Sequence, residues 1–269
     1  MKLALFITDR PSVEGVEIER FILYLSEAGF SLDVYNAGEE CESNPDIAVS
    51  VGGDGTFLRM ARQMAQRGIP VTGVNAGHLG FLTQYGLDEA PRLAEDIIKG
   101  RLRVEERMIL KFECAGIPSG FWPYALNEVA VLKEDTSSML ETEVYNGDKL
   151  VADYLSDGLL IATPTGSTAY SLAAGGPLVD PKLSCMLLVP VAPHTLTLRP
   201  MVTSADSEML LLPRSRAGRC RVSLDGFSFS LATPGEIKVL RAPFTLKVLL
   251  RPGADFFGTL RQKLHWAQR

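Results

Sequence analysis

The chain carries a short apolar run, Ile47–Val51, that ends directly in the turn Gly52–Thr56, whose sequence is GGDGT. Apolar and β-branched residues bounded by glycines are typical of a buried strand that stops in a tight turn. The following residues, 57–65, are helix formers with apolar positions at helical spacing, which predicts a helix. Such a turn aims backbone N–H groups at the space above a sheet, where phosphate can bind. The pattern favours an α/β fold, with Asp54 as the side chain that can take a proton.

The same turn also has a purely structural interpretation. Glycine permits positive φ and aspartate is a good helix N-cap, so both are common where a strand passes into a helix. The turn differs from two familiar phosphate-binding motifs, because the chain contains neither G-x-x-x-x-G-K-[ST] nor G-x-G-x-x-G. If the turn binds a nucleotide, it does so in another way.

Composition limits the classes of partner. The 269 residues are 46% hydrophobic and 22% charged, which is ordinary for a globular protein. A net charge of −5 and the lack of a basic run argue against nucleic acid as a partner. No apolar stretch approaches the length of about eighteen residues that a membrane span needs, and the apolar start is too short for a signal peptide. We therefore expect a cytoplasmic protein with no membrane partner.

The cysteines and histidines form no metal-binding pattern. The four cysteines are scattered without a C-x-x-C pair, which favours reduced, buried thiols. The three histidines lie far apart in the sequence, so we expect no histidine-based metal site. Magnesium needs few protein ligands, and an ion held by carboxylate and phosphate oxygens stays open.

Two halves of the chain follow different patterns. Residues 1–100 alternate between apolar strands and amphipathic helices, which predicts an α/β domain with a parallel sheet covered on both faces. Residues 101–252 contain short β-branched or alternating segments separated by turns, which predicts an all-β C-terminal sandwich domain. We expect residues 253–269 to pack back on the N-terminal domain. The predicted β segments of the second half are Arg107–Glu113, Ala125–Leu132, Glu141–Tyr145, Gly158–Ala162, Glu208–Leu212, Arg219–Leu224 and Phe244–Leu250, with a short helix near Thr168–Ala174.

Three further segments are candidates for ligand contact. Val74–Thr83 is a glycine-punctuated turn after a strand, which in a parallel sheet lies near Gly52–Thr56 at the ligand-binding edge. Asn127-Glu128 interrupts an apolar strand and, since burying an unpaired charge is costly, the pair either faces solvent or holds two neighbouring sugar hydroxyls. Thr163–Tyr170 combines hydroxyls, a glycine and an aromatic ring that could lie against a flat ligand. The first and third segments could also be ordinary loops.

In this order these motifs resemble the NAD kinase family. The similarity covers nearly the whole chain, and its specific part is the threonine–glycine–tyrosine segment together with Asn127-Glu128, because lipid kinases of the diacylglycerol type and phosphofructokinases carry turns like Gly52–Thr56. The matching motifs are Gly52-Gly53-Asp54-Gly55-Thr56, Asn75-x-Gly77-His78-Leu79-Gly80-Phe81, Asn127-Glu128, Asp157-Gly158, Thr163-Pro164-Thr165-Gly166-Ser167-Thr168-Ala169-Tyr170, His194-Thr195-Leu196-x-x-Arg199-Pro200 and Ser223-Leu224-Asp225-Gly226.

The resemblance implies an NAD kinase fold and transfer of the ATP γ-phosphoryl group to the adenosine 2′-hydroxyl of NAD, giving NADP. It implies Asp54 as the general base, Mg²⁺ or another divalent ion as cofactor, and a β-sandwich domain that binds NAD. No protein metal ligand is assigned. The residues implied to bind NAD are Gly53, Gly55, Thr56, Arg59, Phe81, Asn127, Glu128, Asp157, Thr168, Ala169, Tyr170 and Ala173.

Each implied position has a role in the family. The resemblance implies that Gly53, Gly55 and Thr56 approach the phosphates with Arg59 nearby, and that Phe81 borders the adenine. It also implies that Asn127 and Glu128 hold ribose hydroxyls, that Asp157 lies toward the nicotinamide, and that Thr168–Tyr170 line the pocket. Ala173 departs from the family, because many relatives have a serine there, and Phe227 replaces a polar residue found in some relatives. The resemblance implies a homodimer or homotetramer whose pocket is completed across subunits, and the sequence leaves open whether inorganic polyphosphate can replace ATP.

Two other functions are compatible with parts of the pattern. A lipid kinase would share the glycine–aspartate turn, but it gives no reason for Asn127-Glu128 beside the threonine–tyrosine segment, and no membrane-facing patch is evident. A dinucleotide sensor would bind NAD or NADP without chemistry, and Asp54 argues against it. Formation of NADP from NAD, ATP and magnesium separates these alternatives.

Overall fold

The computed structural model describes residues 1–8, 15–77, 80–135 and 138–265. Its contacts divide the chain into two compact units, residues 1–106 with 245–269, and residues 107–244. The domain bounds at residues 100 and 252, and the packing of residues 253–269, stay predictions. No helix in these described ranges is long and apolar enough to cross a membrane.

The elements alternate in the first unit and are almost all strands in the second. In chain order they are β1 Lys2–Ile7, α1 Gly15–Glu27, β2 Ser31–Asn36, β3 Ile47–Val51, α2 Asp54–Met64, β4 Val71–Asn75, β5 Tyr85–Gly86, α3 Ala90–Ile98, β6 Arg103–Cys114, β7 Tyr124–Ala125, β8 Glu128–Lys133, β9 Leu140–Asn146, β10 Lys149–Ser156, β11 Gly158–Ala162, α4 Tyr170–Ala173, β12 Cys185–Val191, β13 Met201–Ser204, β14 Met209–Arg214, β15 Arg219–Leu224, β16 Phe227–Ala232, β17 Ile237–Leu250 and α5 Phe256–Leu264. Short 3₁₀ turns cover Leu87–Glu89 and Thr165–Thr168.

The first unit is built on a parallel sheet with the strand order β2-β1-β3-β4, and β5 and the end of β17 also pair with β4 in parallel. Both faces are covered. Leu3 and Leu5 of β1 belong to a buried cluster with α1 and α3, whereas the alternate residues Ala4 and Phe6 are buried on the other face. Helix α2 packs against β1, β3 and β4 through its own apolar stripe. The predicted α/β fold with a parallel sheet is confirmed.

The second unit is a sandwich of antiparallel strands. One sheet has the order β13-β12-β11-β8-β15-β16, and the facing strands include β10, β9, β14 and the first part of β17. Alternation along β8 shows the layers, because Val129 and Val131 point into the main core and Ala130 packs in a second cluster on the outer face. The predicted β-sandwich is confirmed.

Some strands of the second unit were not predicted, and one was predicted differently. Cys185–Val191 is a strand buried on both faces, so it lacks the polar–apolar alternation that marks a half-exposed strand. The predicted strand Ala125–Leu132 is divided into β7 and β8, with a break at residues 126–127. The predicted helix near Thr168–Ala174 is a 3₁₀ turn followed by the single turn α4. Edge strands were also missed: Lys149–Ser156, Met201–Ser204 and Phe227–Ala232.

Candidate active site

The GGDGT turn connects β3 to α2 in the first unit, as its sequence predicts. Helix α2 begins at Asp54, and the N–H groups of Thr56 and Phe57 donate to the carbonyl of Gly53 at 3.0 and 3.2 Å. Gly52 must lack a side chain, because a Cβ atom there would lie 2.5 Å from Oγ1 of Thr56. Thr56 is therefore buried against the turn, while Gly53 and Gly55 are exposed. The first two N–H groups of the helix, those of Asp54 and Gly55, have no partner within it, so this turn suits an anion.

The Asp54 carboxylate is held by the loop that follows β4. Its Oδ2 accepts the N–H of Phe81 at 2.9 Å, and its Oδ1 accepts the N–H of Leu82 at 3.0 Å. Gly80 makes this approach possible, since a Cβ atom at Gly80 would lie far inside contact distance of Asp54 Oδ1. Two separate stretches of chain thus fix one half-exposed carboxylate at the start of α2.

The other candidates of the first unit lie around this carboxylate at different depths. Phe81 is half-buried, and Lys263 of α5 places its ammonium group 5.5 Å from the centre of the Phe81 ring. Arg59 is exposed on α2, just over one helical turn beyond Asp54. His78 and Leu79, which belong to the matching motif, lie outside the described residues.

In the second unit, Asn127 and Glu128 lie at the break between β7 and β8. The break is held by Asp225, in the turn between β15 and β16, whose carboxylate accepts three successive backbone N–H groups. Its Oδ2 accepts from Leu126 at 2.6 Å, and its Oδ1 accepts from Asn127 at 2.8 Å and from Glu128 at 3.1 Å. Asp225 has φ of +50°, a left-handed conformation that aspartate tolerates better than most residues.

Glu128 is buried although it carries an ionisable group. Its residue is 8% exposed, and its Oε2 atom has no hydrogen-bond partner among the described residues. Burial, with a smaller contribution from the negative charge of Asp225, raises the pKa of Glu128 from 4.5 to about 8. A buried polar atom without a partner is costly, so a ligand group is the natural partner for this carboxyl.

The threonine–glycine segment is tied to Asn127 through its backbone. The Thr163 N–H donates to the Asn127 carbonyl at 2.8 Å, and the Thr163 hydroxyl donates to the Leu126 carbonyl at 2.5 Å. Gly166 lies so close that a Cβ atom there would collide with the Asn127 carbonyl oxygen. The side chain of Asn127 makes no hydrogen bond to another described residue, so it stays available to a ligand.

The remaining candidates of this segment follow Gly166 in order. Thr168 and Ala169 are half-buried, Ala173 is exposed, and Tyr170 is 39% exposed, which is high for an aromatic side chain. The Thr168 hydroxyl donates to the Thr165 carbonyl at 3.3 Å, which holds the 3₁₀ turn. Tyr170 therefore presents a ring surface that a flat ligand can cover.

Asp157 lies away from Asn127 and Glu128. It precedes β11, whereas Ala162 at the other end of that strand pairs with Glu128. Five residues of extended strand separate the two ends by about 16 Å. Asp157 instead forms an ion pair with Lys133, whose Nζ lies 2.6 Å from Oδ1.

Sequence reasoning assigned no role to several residues that shape these two regions. Gly80, Asp225, Thr163 and Gly166 act through close backbone contacts, and Lys133 through an ion pair. The motif Ser223-Leu224-Asp225-Gly226 contains Asp225, but its sequence does not show which backbone the carboxylate contacts. No group of three or more metal-ligating side chains occurs in the part of the chain that the structure describes.

Comparison with known proteins decides the family. Residues 16–102 match the model of the ATP-NAD kinase N-terminal domain, and residues 126–250 match that of the ATP-NAD kinase C-terminal domain. The chain belongs to the NAD kinase family. It is 39% identical to an NAD kinase of Bacteroides fragilis, over 93% of this chain and 86% of that protein. It is 38% identical to one of Porphyromonas gingivalis, over 98% of both chains.

The fold agrees with a solved member of the family. A crystal structure of an NAD kinase from Archaeoglobus fulgidus in complex with ATP superposes with a TM-score of 0.82 at 28% identity, covering 97% of this chain and 99% of that one. Family membership makes this chain an enzyme that phosphorylates NAD, with ATP as the phosphoryl donor.

Proposed function

We propose that this NAD kinase transfers the γ-phosphoryl group of ATP to the adenosine 2′-hydroxyl of NAD, with Asp54 as the general base. A secondary hydroxyl is a weak nucleophile, so a carboxylate within hydrogen-bond reach is needed to take its proton. The observation that carries the proposal is the fixed carboxylate of Asp54 at the start of α2. Each of its oxygens accepts one backbone N–H, and each keeps a second lone pair for a hydroxyl.

The GGDGT turn supplies groups suited to the phosphates. Gly53 and Gly55 are exposed and have no side chain to keep a phosphate from their backbone N–H groups. Arg59, also exposed, adds a positive charge on the same helix. Thr56 is buried against Gly52 and its N–H donates to the Gly53 carbonyl, so its contribution is to hold the shape of the turn. Preorganised donors of this kind provide most of the catalysis in phosphoryl transfer.

A divalent ion fits this arrangement. Magnesium keeps several waters and binds nucleotide phosphates with only one or two protein carboxylates, so the lack of a three-ligand cluster among the described residues is compatible with it. Asp54, the carboxylate of the turn, is the residue that would lie nearest to it. When bound, the ion supplies positive charge to the phosphoryl oxygens.

The second unit supplies groups suited to the dinucleotide. The available side chains of Asn127 and Glu128 are matched to neighbouring hydroxyls of a ribose, and Tyr170 offers a ring face. Phe81 is assigned to the adenine, and Thr168, Ala169 and Ala173 to the wall of the NAD pocket. Asp157 is assigned to the nicotinamide side, and a dinucleotide is long enough to have contacts this far apart.

The proposed assembly rests on the resemblance to the family, and the proposed location rests on the sequence. We propose a cytoplasmic homodimer or homotetramer that takes NAD and ATP as substrates. Polyphosphate as an alternative donor is part of the same proposal, tested by replacing ATP in the assay.

The test compares Asp54→Asn with the native enzyme. We expect turnover of NAD and ATP to NADP to fall at least about a hundredfold, the usual scale for a lost general base, while NAD still binds by calorimetry. Asp88→Asn, an exposed position of the same unit, is the matched control and should keep full turnover. Near-normal turnover of Asp54→Asn would remove Asp54 from this role, and a native enzyme that makes no NADP would refute the activity itself.

A further inference from the structure

Asp225 makes a set of contacts that the reaction as described does not use. Its carboxylate accepts the N–H groups of Leu126, Asn127 and Glu128, and its own N–H donates to the Glu128 carbonyl at 3.2 Å. These bonds join the β15–β16 turn to a segment nearly one hundred residues earlier in the chain, and they fall on the two residues proposed to hold a ribose. The carboxylate of Asp225 can therefore influence the position and the charge of Asn127 and Glu128.

Two carboxyl groups are thereby placed in one buried region, and their surroundings differ. Three backbone donors stabilise negative charge on Asp225. Glu128 is 8% exposed, and its Oε2 meets no donor among the described residues. When two acids share a site, the one with donors keeps the charge and the other keeps the proton.

We propose that Asp225 is a positioning residue for the reaction, which fixes the backbone of Asn127 and Glu128 and, by its negative charge, keeps Glu128 in the neutral form that donates a hydrogen bond to a ribose hydroxyl of NAD. This inference rests on the proposed role of Asn127 and Glu128 in binding NAD. It adds Asp225 to the proposed NAD site and assigns the protonated state to Glu128, which already belongs to that site.

The strands on either side of β8 agree with this assignment. Strand β8 is paired on one side with β11, whose end at Ala162 and Thr163 carries no charged group, and on the other with β15, whose turn carries Asp225. Burial and the Asp225 charge both raise the pKa of Glu128, to about 8, so the neutral acid dominates at pH 7. A neutral carboxyl both donates and accepts, as a ribose hydroxyl does.

The experiment measures the NAD dissociation constant by calorimetry between about pH 6 and pH 9.5, without ATP, for the native enzyme and three variants. Native affinity should weaken as the pH rises through about 8, because Glu128 then loses the proton that it donates. Glu128→Gln keeps a donor at every pH, so it should bind NAD within about threefold of the native enzyme at pH 7 and show no such weakening. Glu128→Ala should bind at least about tenfold more weakly, since it has neither donor nor acceptor.

Asp225→Asn tests the positioning role directly, and asparagine also tolerates the left-handed backbone at this position. We expect KM for NAD to rise about tenfold or more and kcat to change by less than about threefold. The pH at which binding weakens should move down by about one unit, because the negative charge beside Glu128 is gone. Asp148→Asn, an exposed residue of the β9–β10 turn, is the matched control.

The outcomes separate this inference from the proposed function. If the native enzyme makes NADP but Asp225→Asn keeps the native KM and pH profile, the inference is wrong and the function stands. A uniform loss of kcat with unchanged KM and pH profile would mark Asp225 as merely structural, which also overturns it. If Asp225→Asn does not fold, Glu128→Gln decides, because a variant with the native pH dependence contradicts a neutral Glu128. A native enzyme that makes no NADP refutes the proposed function instead.

Discussion

The α/β unit and the sandwich unit treat their candidate carboxyl groups in opposite ways. Asp54 is half-exposed, and both of its oxygens accept backbone N–H groups from the loop after β4. Glu128 is buried, and the corresponding backbone donors of its own segment are taken by a different carboxylate, that of Asp225. The first group is oriented as an acceptor, and the second is left as an acid without a partner among the described residues.

This difference shows that the backbone around an acid, rather than the acid itself, decides its chemistry. The carboxylate of Asp54, at the start of a helix, is oriented by two backbone N–H groups, as its proposed role of accepting a proton requires. A carboxyl that is buried near a fixed negative charge is ready to donate a hydrogen bond instead. In the proposed function the two acids therefore have two different tasks.

The largest effect is expected where the Asp54 anchor is disturbed without changing Asp54. Gly80→Ala inserts a Cβ atom where Asp54 Oδ1 now lies, so the carboxylate must move from the Phe81 and Leu82 N–H groups. We expect kcat to fall at least about a hundredfold, because small displacements of a catalytic group cost this much. Steady-state kinetics with NAD and ATP measure it.

Gly38→Ala is the control, since a Cβ atom there meets nothing within 4 Å. This variant should keep native kcat. If Gly80→Ala also keeps native kcat, then the hydrogen bonds from Phe81 and Leu82 to Asp54 are not needed for proton transfer. The difference between Asp54 and Glu128 would then have no consequence for catalysis at Asp54.

The sequence predicted the parts of both regions that are local. Strand β3, the GGDGT turn and helix α2 follow one another along the chain, so periodicity and glycine spacing were enough to predict them. The hydrogen bonds that hold the carboxylates of Asp54 and Asp225 could not be predicted from the sequence, for a physical reason. The donors to Asp54 lie 27 and 28 residues away, and those to Asp225 lie 97 to 99 residues away, so each pairing depends on how whole strands align.

The break between β7 and β8 shows the same limit of prediction from sequence. An apolar run from residue 125 to 132 predicts one strand, but contacts from Asp225 and Thr163, both distant in sequence, hold a break at Asn127. Asn127-Glu128 was recognised because two polar residues inside an apolar run conflict with burial. The role of Asp225 had no such signal, since aspartate before glycine is ordinary in a turn.

A second test concerns stability and needs no substrate. Below about pH 4.5 Glu128 is neutral in both the folded and the unfolded chain. As the pH rises towards 8, the unfolded chain ionises while the folded chain keeps its proton, so the native enzyme loses stability across this window. Glu128→Gln does not titrate, and its advantage in unfolding free energy over the native enzyme should therefore grow from pH 5 to pH 8, by up to about 4 kcal/mol.

Urea unfolding at the two pH values measures this difference, and Glu208→Gln, an exposed position of the same unit, should show none of it. An advantage of Glu128→Gln that is the same at pH 5 and pH 8 would mean that Glu128 is ionised in the folded protein. The contrast with Asp54 would then rest on geometry alone.

The smallest effect is expected at Asp157, which is the third acid assigned to the site. Asp157 pairs with Lys133, and their side chains are 36% and 25% exposed, respectively. The two residues therefore form a surface ion pair, and Asp157 is neither held by a backbone N–H group in the described part of the chain nor buried. Asp157→Asn should raise KM for NAD by roughly two- to fivefold, the size of one such contact, with kcat unchanged.

Binding of ADP-ribose, which lacks the nicotinamide, should not change, because Asp157 lies at the far end of β11 from Glu128. Asp153→Asn, exposed on β10, serves as the control. An equal loss of affinity for NAD and ADP-ribose would place Asp157 at the adenosine half of the ligand. Asp157 would then belong with Asp54 and Glu128, contrary to the difference described here.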